Sequence, residues 1–70
     1  MSAKLKINGQ NKIFEGGLPE TLGKLLDDLA INQATVVAEI DGCIIERKDF
    51  ARTPLKEGQT IELIRFVGGG

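Results

Sequence analysis

Polar and apolar residues alternate over Lys4-Leu5-Lys6-Ile7, the period of a half-buried strand. Asn8-Gly9 follows, a pair suited to positive φ in a tight turn. Lys12-Ile13-Phe14-Glu15 reads as the return strand, so the first fifteen residues predict a hairpin that Gly16-Gly17 closes. The period then changes. Leu22, Leu25, Leu26 and Leu29 stand at i, i+3, i+4 and i+7, one apolar stripe of a helix with Thr21 as its N-cap. Lys24 occupies the position where a capping box would place Glu or Gln. Gly23 lowers the helix propensity by up to about 1 kcal/mol relative to alanine and leaves room for close packing on a sheet. The pattern fades between Ala30 and Asn32.

Val36-Val37-Ala38-Glu39-Ile40 is rich in β-branched residues and predicts a third strand. Asp41-Gly42 is a strong two-residue hairpin signal, and Cys43-Ile44-Ile45 returns as a fourth. Arg47-Lys48-Asp49-Phe50 carries one apolar anchor in a charged run and predicts a short helical turn. Thr53-Pro54-Leu55 and Lys56-Glu57-Gly58-Gln59 are loop and turn, and Thr60 to Val67 is the last and longest strand. The order is ββαββ with a further turn and a final β. One helix covers only one face of such a sheet, which predicts a two-layer α+β domain.

The last strand is irregular. Ile61 and Leu63 share one face with Arg65 and Val67, and Thr60 and Glu62 share the other with Ile64 and Phe66. Two readings stand open. A bulge switches the register or the edge is covered, or Ile64 and Phe66 form an exposed apolar patch for a partner. Ile64, Arg65 and Phe66 are the candidate partner contacts, because they sit directly behind the terminal Gly68-Gly69-Gly70. Cys43 reads either as a reactive thiol or as a small hydrophobe in a strand. Arg47-Lys48 reads as a solvated turn or as a docking charge pair, and the leucine stripe as core.

Composition narrows the chemistry. The chain has 70 residues, which hold one small domain. Leu, Ile, Val and Phe supply 22 of them, too many for a disordered chain. There is no His, hence no imidazole base, Ser-His or Cys-His pair, or His metal ligand. One Cys makes no internal disulfide or zinc knuckle. A net charge of -1 gives no electrostatic footprint for nucleic acid. No apolar run approaches the roughly 20 residues that span a bilayer. No signal-peptide core precedes the first strand. The expectation is a cytoplasmic protein, monomeric when free, with no metal, no bound cofactor and no catalysis of its own. Residues 1–67 form the domain and 68–70 a flexible tail without side chains.

These elements converge on a resemblance. Asp41-Gly42, Ile45 with Arg47, Thr53-Pro54-Leu55-Lys56-Glu57-Gly58, and Ile61-Glu62-Leu63-Ile64-Arg65-Phe66-Val67-Gly68-Gly69-Gly70 look like the ThiS family of ubiquitin-like sulfur carriers of thiamine biosynthesis. Glu46 stands where the family often has proline, and Cys43 is not a family feature. The resemblance implies the β-grasp fold, a mixed sheet of four to five strands packed on one main helix, with the last strand beside the first. Local pattern alone does not fix that pairing. It also implies that the Gly70 carboxylate is the modified group, adenylated with ATP by a ThiF-like adenylyltransferase and converted to a thiocarboxylate. Gly68 and Gly69 enter the partner sites with it. The sulfur comes ultimately from a cysteine desulfurase and goes to a ThiG-like thiazole synthase. The alternatives are a MoaD-like carrier for molybdopterin or another acceptor, and a non-catalytic β-grasp binding module.

Overall fold

The computed structural model describes residues 2–66. Gly68, Gly69 and Gly70, the expected tail, lie outside the described residues, as does Val67. The strands are β1 (Ser2–Ile7), β2 (Gln10–Glu15), β3 (Val36–Ile40), β4 (Cys43–Ile45) and β5 (Thr60–Arg65), and the helix is α1 (Leu22–Asp28). Two 3-10 turns, Gln33–Thr35 and Arg47–Arg52, connect them. The sheet order is β2-β1-β5-β3-β4. β5 runs parallel to β1 and antiparallel to β3. The last strand therefore does lie beside the first, and the fold is the two-layer α+β β-grasp.

Local chemistry explains the elements. The side chain of Thr21 accepts from the Lys24 amide at 3.2 Å, and the Leu22 amide donates to the Thr53 carbonyl at 2.9 Å, so two free donors of the first turn are satisfied. The helix ends on a left-handed residue, Ala30, at φ 58°. The amide of Ala30 donates to the Asp27 carbonyl and that of Ile31 to the Leu26 carbonyl, the Schellman pattern that glycine usually serves. Both hairpins close through the predicted dipeptides. Asn8 and Asp41 lie at φ 50°, with Gly9 at 82° and Gly42 at 85°, the positive-φ pairs that suit the right-handed twist of the strands.

The core sits between α1 and the inner sheet face. Leu22, Leu25 and Leu26 meet Leu5, Ala38 and Ile61, all fully buried. Each large aliphatic side chain buried this way contributes on the order of 1.5–3 kcal/mol. Phe50, the anchor of the charged run, is also buried. Gly23 corrects an expectation. Its close approach is to the 3-10 turn, not to the sheet: a Cβ there would stand 3.3 Å from the Phe50 carbonyl oxygen and 3.4 Å from the Ala51 Cα. The segment after β4 returns across the first turn of the helix, where Thr21 bridges to Pro54. A glycine admits that backbone.

β5 is held by more than its two ladders. The Asn8 amide donates to the Ile61 carbonyl at 2.9 Å, and the Leu63 amide donates to Asn8 Oδ1 at 2.7 Å. The side chain thus continues the ladder where β1 turns away. At the start of β5, the Asp41 amide donates to the Thr60 carbonyl at 2.8 Å and Asp41 Oδ1 accepts from the Thr60 amide at 2.9 Å. Both turn residues grip the same strand.

Asn8→Gly should cost about 1 kcal/mol, the loss of one hydrogen bond. Asn8→Ala should cost about 2 kcal/mol, because it adds left-handed backbone strain. Urea denaturation of both variants checks this; equal losses would show that strain at residue 8 plays no part.

Candidate functional site

The candidate contacts lie on the central strand, where β5 leaves the sheet. Its pairing with β3 runs without interruption from Val36 opposite Arg65 to Ile40 opposite Ile61. No bulge intervenes among the described residues, so the alternation persists and Ile64 and Phe66 stay on the outward face. Ile61 and Leu63 are buried against α1, whereas Ile64 is 52% and Phe66 62% exposed. The Phe66 amide still donates to the Thr35 carbonyl at 2.8 Å. Ladder geometry therefore extends to Phe66, the last described residue.

The three predicted contacts do not share one face. Ile64 and Phe66 stand on the open face, which α1 does not cover. Arg65 has the inner phase, opposite Val36, and is exposed at the sheet's end. There it borders a shallow cavity of about 240 Å³ with Ile7, Asn8, Leu29, Ile31 and Leu63.

Two residues join the patch that strand-by-strand reading missed. Val37 lies directly opposite Ile64. Ile44 is opposite Glu39 on β4 and is 68% exposed. A signal existed for both: the doublets Val36-Val37 and Ile44-Ile45 break the alternation of a sheet with one wet face. An apolar residue in the outward phase of such a strand marks a contact more than a core position.

The remaining features are chemically modest. Cys43 lies in a strand, as one of its two readings has it, and is exposed. It begins β4, an edge strand, and the sheet leaves it uncovered there. Arg47 and Lys48 are solvated. Asp49 and Arg52 pair with each other at 2.9 Å. A second shallow cavity, about 370 Å³, is lined by Ile7, Leu29, three amide side chains and Lys12. The Lys12 ammonium lies 5.5 Å from the Phe14 ring centre, within reach of a cation–π contact. Among the described residues, no three His, Cys, Asp or Glu side chains gather to hold a metal. Among them, too, no helix is long and apolar enough to cross a membrane. The carboxylate of Gly70 lies outside the described residues, with Gly68 and Gly69.

The comparisons with known proteins agree with one another. A family model described as the ThiS family matches residues 5–70. The crystal structure of the thiamine biosynthesis protein ThiS from Geobacter metallireducens superimposes with a TM-score of 0.80 at 34% identity, over 96% of this chain and 99% of that one. A solution NMR structure of a thiamine biosynthesis protein from the same organism gives 0.78 at 34% identity, over 96% and 87%. Among curated proteins, a thiazole synthase of Paramagnetospirillum magneticum (strain ATCC 700264 / AMB-1) is 30% identical over 67 residues. That match covers 96% of this chain, and the chain spans only 20% of that relative's length.

The phase of β5 makes a direct prediction about stability. Leu63→Ala should cost about 2–5 kcal/mol, because it opens a core cavity. Phe66→Ala should cost less than about 1 kcal/mol, as surface substitutions do. Chemical denaturation of the two variants compares them, and similar large losses would place Phe66 in the core.

Proposed function

The chain belongs to the ThiS family, and on that premise we propose that it is a sulfur carrier for the thiazole ring of thiamine, with the Gly70 carboxylate as the carrying group. The match of the family model through to residue 70 supports this reading most directly. The likeness of nearly the whole chain to one part of a thiazole synthase favours a ThiG-like enzyme as the sulfur acceptor's partner over a molybdopterin pathway.

The chemistry follows from what a carboxylate lacks. Its oxygen is a poor leaving group, so it is not an acyl donor at neutral pH. A ThiF-like adenylyltransferase brings ATP. The Gly70 carboxylate attacks the α-phosphorus, pyrophosphate leaves, and an acyl-adenylate forms. The outer sulfur of a persulfide, supplied ultimately by a cysteine desulfurase, attacks the acyl carbon and AMP departs. Two electrons from a thiol then cleave the S–S bond and leave the thiocarboxylate. Its sulfur is a good nucleophile and passes to the thiazole precursor on the synthase.

This chain supplies presentation. β5 is the central strand of the sheet, and Ile64 on its outward face and Phe66 just past its end offer an apolar contact next to the tail in sequence. Gly68 and Gly69 carry no Cβ, so a narrow channel accepts them in conformations closed to other residues. Catalytic acids and bases belong to the partners.

Incubated with a ThiF-type enzyme, ATP, a persulfide source and a thiol, the chain should gain the mass difference between sulfur and oxygen at its C-terminus. Intact-mass spectrometry reads this, and no gain with a competent enzyme would overturn the proposal. Deletion of Gly70 should abolish the gain while the circular dichroism spectrum and denaturation midpoint stay unchanged. Phe66→Ala should raise the Kd for the adenylating enzyme by about tenfold, in the range typical of an aromatic contact at an interface. Titration calorimetry checks that, and an unchanged Kd would remove Phe66 from the docking surface.

A further inference from the structure

The open face of the sheet carries a second irregularity beside the apolar patch. Glu39 and Glu62 are direct partners across β3 and β5. Like charges opposite each other destabilise a sheet. Nothing within the described residues offsets the pair at ion-pair distance: the two salt bridges there join Lys24 to Asp28 and Arg52 to Asp49. Lys6 is the nearest cation in the register, opposite Thr60 and one diagonal step from Glu62.

The pair sits in the middle of the apolar residues. Val37 and Ile64 are two positions along β3 and β5 on one side, and Ile44 is opposite Glu39 on the other. A partner that covers Val37, Ile44, Ile64 and Phe66 must also take water from both carboxylates. Two uncompensated anions under an interface are heavily penalised, whereas a cation between them gains from both. A second copy of this chain does not fit: face to face, it would bring four carboxylates to one seam.

We infer that the β5-β3-β4 half of the open face is a single docking surface, and that the adenylating partner seats on it an arginine or lysine, rimmed by apolar side chains, between Glu39 and Glu62. This inference rests on the carrier reading above and deepens it, because it sets the chemistry and the extent of the partner's footprint. Ile13 is also exposed on this face, but it pairs with Lys4 on the β1-β2 half and lies outside the footprint. The destabilising pair is a recognition feature: in the free chain it only repels, and in the complex it selects a cationic partner.

The test uses the whole chain and the purified ThiF-type enzyme, with affinities measured by calorimetry at low and high salt. The E39Q/E62Q variant should keep or raise the denaturation midpoint, because the repulsion is gone. Its affinity should fall about tenfold or more at low salt, and its salt dependence should flatten. Ile13→Ser should bind as the wild type does. If E39Q/E62Q binds like the wild type while the wild type still accepts sulfur, this inference falls and the carrier reading stands. If the wild type binds but accepts no sulfur, the carrier reading falls and the footprint stands. A wild type that does not bind overturns both. A concentration-dependent dimer lost in the Ile44→Ser variant would assign the face to a second copy and overturn the inference.

Discussion

The fold depends on one long-range pairing, the insertion of the last strand between the first and the third. Without β5, the chain is two separate hairpins and a short helix, and isolated hairpins are marginal in water. β5 joins them by a parallel ladder on one side and an antiparallel ladder on the other. The contact between Asn8 and Leu63 closes a separation of 55 residues, so loop-closure entropy opposes it. The two hairpin turns help to offset that cost. Each places an oxygen-bearing residue at φ 50°, and each such side chain accepts an amide of β5. The turns that build the hairpins also hold the strand that unites them.

That arrangement divides the sheet into two faces with different tasks. The inner face is filled by Leu5, Ala38, Ile61 and Leu63 against three leucines of α1. The outer face is left open, and its apolar residues gather where β5, β3 and β4 meet. Substitutions there should change stability little, whereas those on the buried inner face should change it greatly. Under the proposed function, recognition and folding fall to alternate residues of the same strand.

The local elements were legible in the sequence. Asn8-Gly9 and Asp41-Gly42 marked both hairpins, and the leucine spacing with Thr21 marked the helix. The break of alternation after Leu63 announced the patch. What pattern did not reveal was pairing. Neither the position of β5 beside β1 nor the meeting of Glu39 with Glu62 follows from local periodicity, because each depends on residues far apart in the chain. The reach of Asn8 and Asp41 onto β5 was hidden for the same reason: a turn signal states what the backbone does, not what the side chain touches. In the sequence Gly23 suggests a contact with the sheet, since helix packing usually explains a small residue; the chain's return across the helix supplies the contact instead. Ala30 carries no sequence signal for its left-handed conformation, which usually belongs to glycine.

Under the proposed function, the same central strand sets a length constraint on catalysis. Once Ile64 and Phe66 are docked, β5 is fixed relative to the partner by ladders on both sides. Four residues then separate Phe66 from the Gly70 carboxylate. A fully extended chain spans at most about 3.3–3.6 Å per residue, so the carboxylate reaches no farther than about 14 Å from the docked strand. Every enzyme that acts on Gly70 while holding this face must place its reacting centre within that radius. A short tether of this kind raises the effective concentration of the carboxylate in the partner's site. It also explains why the docking surface takes in the end of β5: a contact there both selects the partner and limits where the tail can reach.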